Sequence, residues 1–327
     1  MMNILITGGT GFLGKELVKQ LKTKKHKLFI ISRTKKAENN VFENTRLINA
    51  DLIHNQKKLE KIIADNKIEV VYHLAASSDE TLFYKNLYKI NVGGTKNILL
   101  ASIKNKKYVK LFIHISTSGV LGSNMGTMEK PANETFKCIP ETNYEKTKYL
   151  AEQFVIKHKK QIPIVIIRPT IIYGPNNNWK KIIKQAKKRF PLIGDGKNIW
   201  HFVYVKDVAS ALVLVLNNKK AIGNIYLIAG PDYKTYEETY KIICMHLKIN
   251  PPKFQIPIWF ANLIAFFCET GSKIIGTKSI INRSHIGRIL RTRVFDCTKA
   301  KNDLSYVGKY NIDKALKETI KDLNYAK

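Results

Sequence analysis

Residues 3–14, Asn3-Ile4-Leu5-Ile6-Thr7-Gly8-Gly9-Thr10-Gly11-Phe12-Leu13-Gly14, join a short apolar run to a turn with four glycines. The apolar part, Ile4 to Ile6, is continuous rather than alternating, as in a parallel strand that helices cover on both faces. After the glycines, apolar residues recur at helical spacing among polar ones, at Leu13, Leu17, Val18 and Leu21. The stretch therefore predicts a strand, a glycine turn and a helix, whereas a glycine hairpin would need a second strand here.

The glycine turn is predicted to hold a dinucleotide. Gly8 lets the chain reverse tightly, Gly11 lets the backbone approach a pyrophosphate, and Gly14 lets the helix pack against the strand. Free N–H groups and the positive dipole end at the start of the helix attract phosphates. The spacing here is GxxGxxG, which differs from the GxGxxG of ordinary dehydrogenases.

The second apolar strand, 28–33, ends where the adenosine ribose of a dinucleotide would lie. An acidic residue at this point would accept a hydrogen bond from the ribose 2′-OH, but the sequence has Ser32-Arg33-Thr34. A carboxylate would repel a 2′-phosphate, whereas a serine and an arginine can bind it. We therefore expect NADP as the cofactor, with NAD as the second choice.

Further apolar strands are predicted at 46–50, 69–76 and 109–115, and helical patterns separate them. This alternation predicts an α/β fold, a Rossmann-type doubly wound parallel sheet, with a smaller and discontinuous C-terminal substrate lobe. We assign residues 1–167 to the NAD(P)-binding domain, to which 202–228 return. The substrate-binding lobe would consist of 168–201 and 229–327.

A series of motifs in this order resembles the extended short-chain dehydrogenase/reductases, the NAD-dependent epimerase/dehydratase family. The motifs that carry the resemblance are the glycine turn, Asp51-Leu52, His73-Leu74-Ala75-Ala76, Asn91-Val92-Gly93-Gly94-Thr95, Ser116-Thr117-Ser118-Gly119-Val120-Leu121-Gly122, Tyr144-Glu145-Lys146-Thr147-Lys148 and Arg168-Pro169-Thr170. The apolar segment 256–268 resembles that of the dihydroflavonol reductase and 3β-hydroxysteroid dehydrogenase branch. The resemblance extends over almost the whole chain.

The resemblance implies a catalytic site made of Thr117, Tyr144 and Lys148. Tyr144 and Lys148 are four residues apart, so they share one face of a helix. A nearby ammonium group favours the phenolate of a tyrosine whose ordinary pKa is about 10. Thr117 would hydrogen-bond the reacting oxygen, with Ser118 as the less favoured substitute. The cofactor-binding residues would be Gly8, Thr10, Gly11, Phe12, Leu13, Gly14, Ser32, Arg33, Asp51, Leu52, Leu74, Ala75, Ala76, Asn91, Tyr144, Lys148 and Pro169. For Asn91, a purely structural hydrogen bond is an equal alternative.

Three functions remain open on this evidence. The first is NAD(P)-dependent hydride transfer to or from a secondary alcohol or ketone. The second is a sugar-nucleotide epimerase or dehydratase that recycles its NAD, although Trp200-His201 stand where such enzymes usually have a diphosphate-binding arginine. The third is a non-catalytic NADP sensor. Arg288, Arg291 and Arg293 could recruit an anionic group of the substrate in the first two cases.

Composition limits the partners and the compartment. The four cysteines lie far apart without CxxC spacing, which favours a reducing compartment and no structural metal site. No secretory signal is apparent at the N-terminus, so we expect a cytoplasmic protein and, from the family, a homodimer. The net charge of +31 is spread along the chain, and no basic stripe or nucleic-acid-reading module is present. We expect a small-molecule substrate and no specific nucleic-acid partner.

The apolar segment 256–268, which contains Trp259 and Phe260, allows two further interpretations. It is too short to span a bilayer. It could lie on a membrane or line an apolar pocket, but core packing in the smaller lobe is the favoured interpretation. Adhesion of the basic chain to polyanions, anionic vesicles included, is then expected to vanish at physiological ionic strength, where the Debye length is about 8 Å.

Overall fold

The structure is a computed structural model that describes residues 1–33, 42–79, 81–274 and 283–325. Its strands are β1 (Asn3–Thr7), β2 (Lys27–Ser32), β3 (Arg46–Asn49), β4 (Val70–His73), β5 (Leu111–Ile115), β6 (Ile164–Pro169), β7 (Ile171–Tyr173), β8 (Leu192–Ile193), β9 (Ile199–Trp200), β10 (Phe202–Tyr204), β11 (Ile225–Ile228), β12 (Lys234–Thr235) and β13 (Gln255–Ile256). Seven of them form one parallel sheet in the order β11-β6-β5-β4-β1-β2-β3. The order reverses beside β1, as in a doubly wound fold.

The helices are α1 (Phe12–Lys22), α2 (Gln56–Asp65), α3 (Tyr84–Tyr88), α4 (Gly94–Lys104), α5 (Asn143–Lys157), α6 (Asn177–Lys187), α7 (Val205–Val215), α8 (Tyr236–His246), α9 (Ile258–Ile274), α10 (Arg283–Ile289), α11 (Thr298–Leu304) and α12 (Ile312–Asp322). A π-helical turn, Lys89–Gly93, joins α3 to α4, and a 3₁₀ turn, Ser118–Leu121, follows β5. Across the described ranges, no helix combines the length and the apolarity that crossing a membrane requires.

Two apolar layers cover the large sheet. Alternate residues of β1 point to opposite faces, so Ile4 and Ile6 join the core under α1 and α7, while Leu5 joins the core under α2, α4 and α5. All three side chains are fully buried. The continuous apolar run that predicted a doubly covered strand is explained by this arrangement, and the predicted Rossmann-type α/β fold is confirmed.

The smaller lobe has its own apolar core and three short strand pairs. β7 pairs with β10 and β8 with β13 in parallel, and β9 pairs with β12 in the antiparallel sense. Aromatic rings dominate the core, which includes Tyr173, Trp179, Phe202 and Tyr204. Segments from 171–204 and from 234 onward supply these pairs, so the lobe is built from two separated parts of the chain.

The apolar segment 256–268 is largely exposed, although the sequence favours core packing for it. It forms most of α9, but Trp259 is 70% exposed and Phe267 is 64% exposed. The interpretation as ordinary core packing is therefore wrong. The alanines of this helix, Ala261 and Ala265, face inward instead.

Candidate active site

The glycine turn lies at the carboxyl end of β1, next to the end of β4. Gly8 has a φ of +71°, and a Cβ there would come within 2.7 Å of the Ala75 nitrogen. A Cβ on Gly14 would come within 2.2 Å of the Gly8 carbonyl oxygen. The helix therefore packs against the turn itself as closely as its backbone allows, and only glycine fits at either position.

The first turn of α1 is open toward a ligand. Gly11 caps the helix without any side-chain hydrogen bond, so the first N–H groups are available to a phosphate. Thr10 is half-buried in the turn, while Phe12 and Leu13 pack toward the apolar core of the smaller lobe. The arrangement fits a dinucleotide pyrophosphate, which would be bound by backbone groups.

A chain of buried hydrogen bonds connects the end of β1, just before the glycine turn, to the end of β4 and to α4. The Thr95 hydroxyl donates to the Asn91 carbonyl oxygen at 2.6 Å, so it accepts a bond from His73 Nε2 at 2.8 Å. His73 Nδ1 is then an acceptor, and the Thr7 hydroxyl donates to it at 2.7 Å. Burial and the charge of Lys148 lower the pKa of His73 to about 3, which keeps the ring neutral.

Asn91 holds the loop that follows β4. Its side-chain oxygen accepts a bond from the Ser77 nitrogen at 2.7 Å, and its amide group donates to the Ser77 carbonyl and to the Thr147 hydroxyl, each at 3.0 Å. The side chain is only 2% exposed and lies in the π-helical turn. Asn91 thus positions the loop that carries Leu74, Ala75 and Ala76. This agrees with the alternative prediction that Asn91 makes a structural hydrogen bond.

The predicted ribose and adenine side of the site lies at the ends of β2 and β3. Ser32 is buried and Arg33 is exposed, and Asn49 donates a bond to the Arg33 carbonyl at 2.9 Å. Thr34 lies outside the described residues. Asp51 and Leu52 are half-buried beyond β3, where Asp51 accepts a bond from the Ile53 nitrogen at 2.7 Å. Pro169 is buried within β6.

Thr117 and Tyr144 line one cavity of about 420 Å³. Thr117 lies two residues after β5 and caps the following 3₁₀ turn by accepting a bond from the Gly119 nitrogen at 3.1 Å. Tyr144 lies in the first turn of α5. Ser118, the less favoured substitute for Thr117, also lines the cavity.

Lys148 is buried one helical turn after Tyr144. Its ammonium group donates to the Ile115 carbonyl at 2.6 Å, at the end of the strand that leads to Thr117. Burial lowers the pKa of Lys148 to about 8, against the smaller opposing effect of the Glu152 carboxylate. The pKa of the neighbouring His114 is well below its ordinary value because of burial and the Lys148 charge. Lys148 is thus a buried charged group one helical turn from Tyr144, and the nearby His73 and His114 are neutral.

The same cavity is also lined by cationic and aromatic side chains and by Glu145. Arg288 and Arg293 line it, together with Trp179, Trp200 and Phe202. Arg293 is 6% exposed and donates to the carbonyls of Arg291 and Arg288 at 2.9 and 2.7 Å. Burial lowers the pKa of Arg293 to about 10, with further lowering by Arg291, so the guanidinium stays charged at neutral pH. A buried cation that faces a cavity favours an anionic ligand group.

The sequence matches the NAD dependent epimerase/dehydratase family over residues 4–229. The chain belongs to this family. It is similar to a dTDP-D-glucose 4,6-dehydratase of Dictyostelium discoideum, with 32% identity over 72% of this chain and 59% of the relative. It is also similar to a 3β-hydroxysteroid-dehydrogenase/decarboxylase of Arabidopsis thaliana, with 25% identity over 98% of this chain and 62% of the relative. The chain therefore spans about three fifths of the length of these two relatives.

Among solved structures, the fold is similar to that of a UDP-glucuronic acid 4-epimerase from Bacillus cereus in complex with UDP-glucuronic acid and NAD. The TM-score is 0.77, with 24% identity over 98% of this chain and 99% of that one. The family and the fold of this chain are thus those of the extended short-chain dehydrogenase/reductases.

In this family member, the two residues that replace the usual arginine have structural roles. Trp200 lines the cavity, and its indole N–H donates to the Ile289 carbonyl at 3.0 Å. His201 accepts a bond from the Phe295 nitrogen at 3.2 Å and bonds the Gly230 carbonyl at 3.0 Å. The positive charge in the cavity comes instead from Arg288 and Arg293, in and after α10.

Several cavity residues are not apparent from the sequence. Asn176 and Asn178, around the start of α6, line the cavity, as do Met125 and Thr170. The Thr170 hydroxyl is buried and has no hydrogen-bond partner among the described residues. Only its place in the Arg168-Pro169-Thr170 motif could have drawn attention to Thr170 as a cavity residue.

Proposed function

We propose that this protein transfers a hydride between NADP(H) and a secondary alcohol or ketone, with Thr117, Tyr144 and Lys148 as its catalytic residues. The observation that carries the proposal is the position of Tyr144 in the cavity, one helical turn before the buried ammonium group of Lys148. When bound, the nicotinamide supplies or accepts the hydride. We assign its binding to residues 1–167 and 202–228, and substrate binding to 168–201 and 229–327.

In this mechanism each of the three side chains has its own role in the reaction at the substrate oxygen. Thr117 orients the substrate oxygen by a hydrogen bond, and Tyr144 gives that oxygen a proton during reduction or takes it during oxidation. Lys148 stabilises the phenolate by its charge, because an opposite charge nearby favours the ionised form of the tyrosine. Positioned proton transfer of this kind contributes about 10²- to 10⁴-fold in rate.

We further propose that the substrate carries an anionic group that meets Arg288 and Arg293. These cations lie in the same cavity as Tyr144, so the reacting carbon and the anionic group would belong to one molecule. Sugar nucleotides have this chemistry, and the names of the dehydratase and epimerase relatives include them. A sugar-nucleotide epimerase or dehydratase that keeps its NAD is therefore the second candidate.

The expected effect of Tyr144→Phe is a loss of turnover by a factor of at least about 100, with NADPH affinity within about twofold of the wild type. Turnover is followed by NADPH absorbance against ketones and, for the second candidate, by product analysis with sugar nucleotides. Binding is followed by NADPH fluorescence. Tyr149→Phe, on the same helix but outside the cavity lining, is the matched control. Full activity of Tyr144→Phe would contradict the mechanism.

Whether the cofactor is retained or exchanges freely distinguishes the epimerase from the reductase. Release of a stoichiometric NAD on denaturation of the purified protein would favour the recycling epimerase, and exchangeable NADPH would favour the reductase. Displacement of substrate by uridine diphosphate would support the sugar-nucleotide class. Cofactor binding without turnover of any of these substrates would favour the third function, a non-catalytic NADP sensor.

A further inference from the structure

Helix α9 directs its large apolar side chains to the surface. Ala261 and Ala265 are its buried residues, and they contact Ile286 of α10 in a small apolar cluster with Ile193, Ile256 and Leu290. Six larger apolar residues of the same helix are between 39% and 70% exposed: Trp259, Phe260, Leu263, Ile264, Phe266 and Phe267. We call these six residues the docking face. A helix of a globular protein normally has the reverse arrangement, with its large apolar side chains in the core.

The docking face is continuous. At about 100° per residue, its six side chains lie within an arc of about 160°, opposite the two alanines. Ile258, the first residue of the helix, is 44% exposed but lies on the side of the alanines, and Phe254, in the chain before the helix, is 68% exposed. Single exposed apolar residues need no explanation, but a contiguous patch of this kind marks an interaction surface.

Basic residues flank the apolar side chains. β8 and β13 run side by side, with Leu192 opposite Gln255, so the end of α6 and the chain before α9 lie next to each other. The exposed residues here include Lys187, Lys188, Arg189 and Lys253. Glu269, the one acidic residue in the sequence of α9, is paired with Arg283 at 2.9 Å, and that guanidinium lies 5.6 Å from the Phe266 ring centroid. Beside the start of α9, these four exposed basic residues thus outnumber the exposed Asp195 next to Gln255, in a chain of net charge +31.

We propose that the docking face binds an anionic lipid bilayer, with α9 lying in the plane of the surface. Apolar side chains of such a helix reach the boundary between headgroups and acyl chains, while flanking cations contact anionic headgroups. Charge complementarity selects this occupant, because a second copy of the chain would bring two basic rims together. This proposal departs from the sequence-based expectation that adhesion to vesicles vanishes at physiological ionic strength.

Docking is tested by co-sedimentation with vesicles of equal amounts of phosphatidylcholine and phosphatidylglycerol, at physiological ionic strength. The wild type should sediment with these vesicles, and much less with phosphatidylcholine alone. The double variant Trp259→Ser/Phe267→Ser should lose affinity by about tenfold or more, since two large apolar side chains no longer enter the bilayer. Met245→Ser/Val307→Ser removes two apolar side chains of 57% and 63% exposure elsewhere on the surface and should bind as the wild type does.

A second measurement needs no disruptive variant. Trp259 is the highly exposed tryptophan, whereas Trp179 is buried and Trp200 is half-buried. Anionic vesicles should shift the wild-type fluorescence to shorter wavelength, and Trp259→Phe should abolish the shift while still sedimenting. Tyr144→Phe should sediment as the wild type does, so docking is judged independently of the proposed chemistry.

Several outcomes would overturn the proposal. These are no sedimentation of the wild type at physiological ionic strength, equal sedimentation of wild type and the Trp259→Ser/Phe267→Ser variant, and no fluorescence shift. A wild-type dimer that this variant converts to monomer, without vesicle binding, would assign the docking face to a second copy of the chain.

Discussion

Lys148 illustrates how one side chain can be both buried and charged. It is 4% exposed, one helical turn from Tyr144, and its ammonium group donates to the Ile115 carbonyl. Burial lowers its pKa to about 8, which still leaves most molecules protonated at neutral pH. The buried histidines nearby, His73 and His114, have lowered pKa values and stay neutral, so neither of them adds a positive charge beside Lys148.

Arg33 is the single residue on which the expectation of NADP as the cofactor mainly depends. It is exposed directly after β2, where the ribose 2′-phosphate of NADP would lie. Arg33→Ala should weaken NADPH binding by about 10- to 100-fold, because a hydrogen bond to a charged group contributes about 1.5–3 kcal/mol. NADH binding should change by less than about twofold. Fluorescence titration of both cofactors measures these affinities.

The matched control for Arg33 is Arg46→Ala. Arg46 is also exposed, but it begins β3 opposite Phe29, at the other end of the strands from the cofactor edge. It should leave both affinities unchanged. Equal losses for NADPH and NADH in Arg33→Ala, or none, would refute the role of Arg33 and favour NAD.

At the scale of elements, the start of α5 sets the geometry of the site. Thr142 caps the helix by accepting a bond from the Glu145 nitrogen at 3.2 Å, and the Glu145 carboxylate accepts bonds from the Thr142 and Glu141 nitrogens, each at 2.9 Å. This capping box fixes where the first turn begins, and Tyr144 lies within that turn. The position of Tyr144 thus depends on the capping box, a local motif that can be recognised in the sequence.

Thr142→Ala should lower the free energy of unfolding by about 1 kcal/mol, the usual cost of losing a cap, and should also lower kcat. Thr235→Ala provides the comparison, because Thr235 and Glu238 form the same capping box at the start of α8. Both variants should lose similar stability in chemical denaturation, but only Thr142→Ala should lose kcat. A similar loss of kcat in both would mean that general destabilisation, rather than the position of Tyr144, causes it.

For the whole molecule, the net charge of +31 is the dominant global property. No concentrated basic stripe or nucleic-acid-reading module in the sequence explains the charge, and the lysines are distributed over most helices. Such a surface attracts polyanions in proportion to their charge and without regard to sequence. A homodimeric state and a cytoplasmic location remain predictions.

Two duplex DNAs of unrelated sequence should therefore bind equally at low salt and should both dissociate toward physiological ionic strength. Fluorescence anisotropy over a salt series measures this, and the logarithm of the affinity should fall steeply with the logarithm of the salt concentration. Anionic vesicles should stay bound at the same salt, because DNA offers no apolar phase to α9. A difference above about tenfold between the two DNAs would contradict the absence of a specific nucleic-acid partner.

The sequence predicted most of the sheet and the local parts of the site. Continuous apolar runs identified the strands because both faces of the sheet are covered, and the glycines were predictable because their backbone positions tolerate no Cβ. Tyr144 and Lys148 were placed together by helical spacing alone. The cavity wall could not be predicted in this way, because Asn176 and Met125 reach it through contacts distant in the sequence.

From the sequence by itself, short-range periodicity determined the parallel sheet, the motifs indicated the family, and the spacing of Tyr144 and Lys148 predicted that they share one face of a helix. Only the tertiary structure decided which side of α9 is buried. Residues 258–268 of the helix are apolar on all sides except at Asn262, so this sequence cannot distinguish a core helix from a surface one. Its inward face was selected by the small space left beside Ile286, which two alanines fill, and the large side chains were therefore left outside.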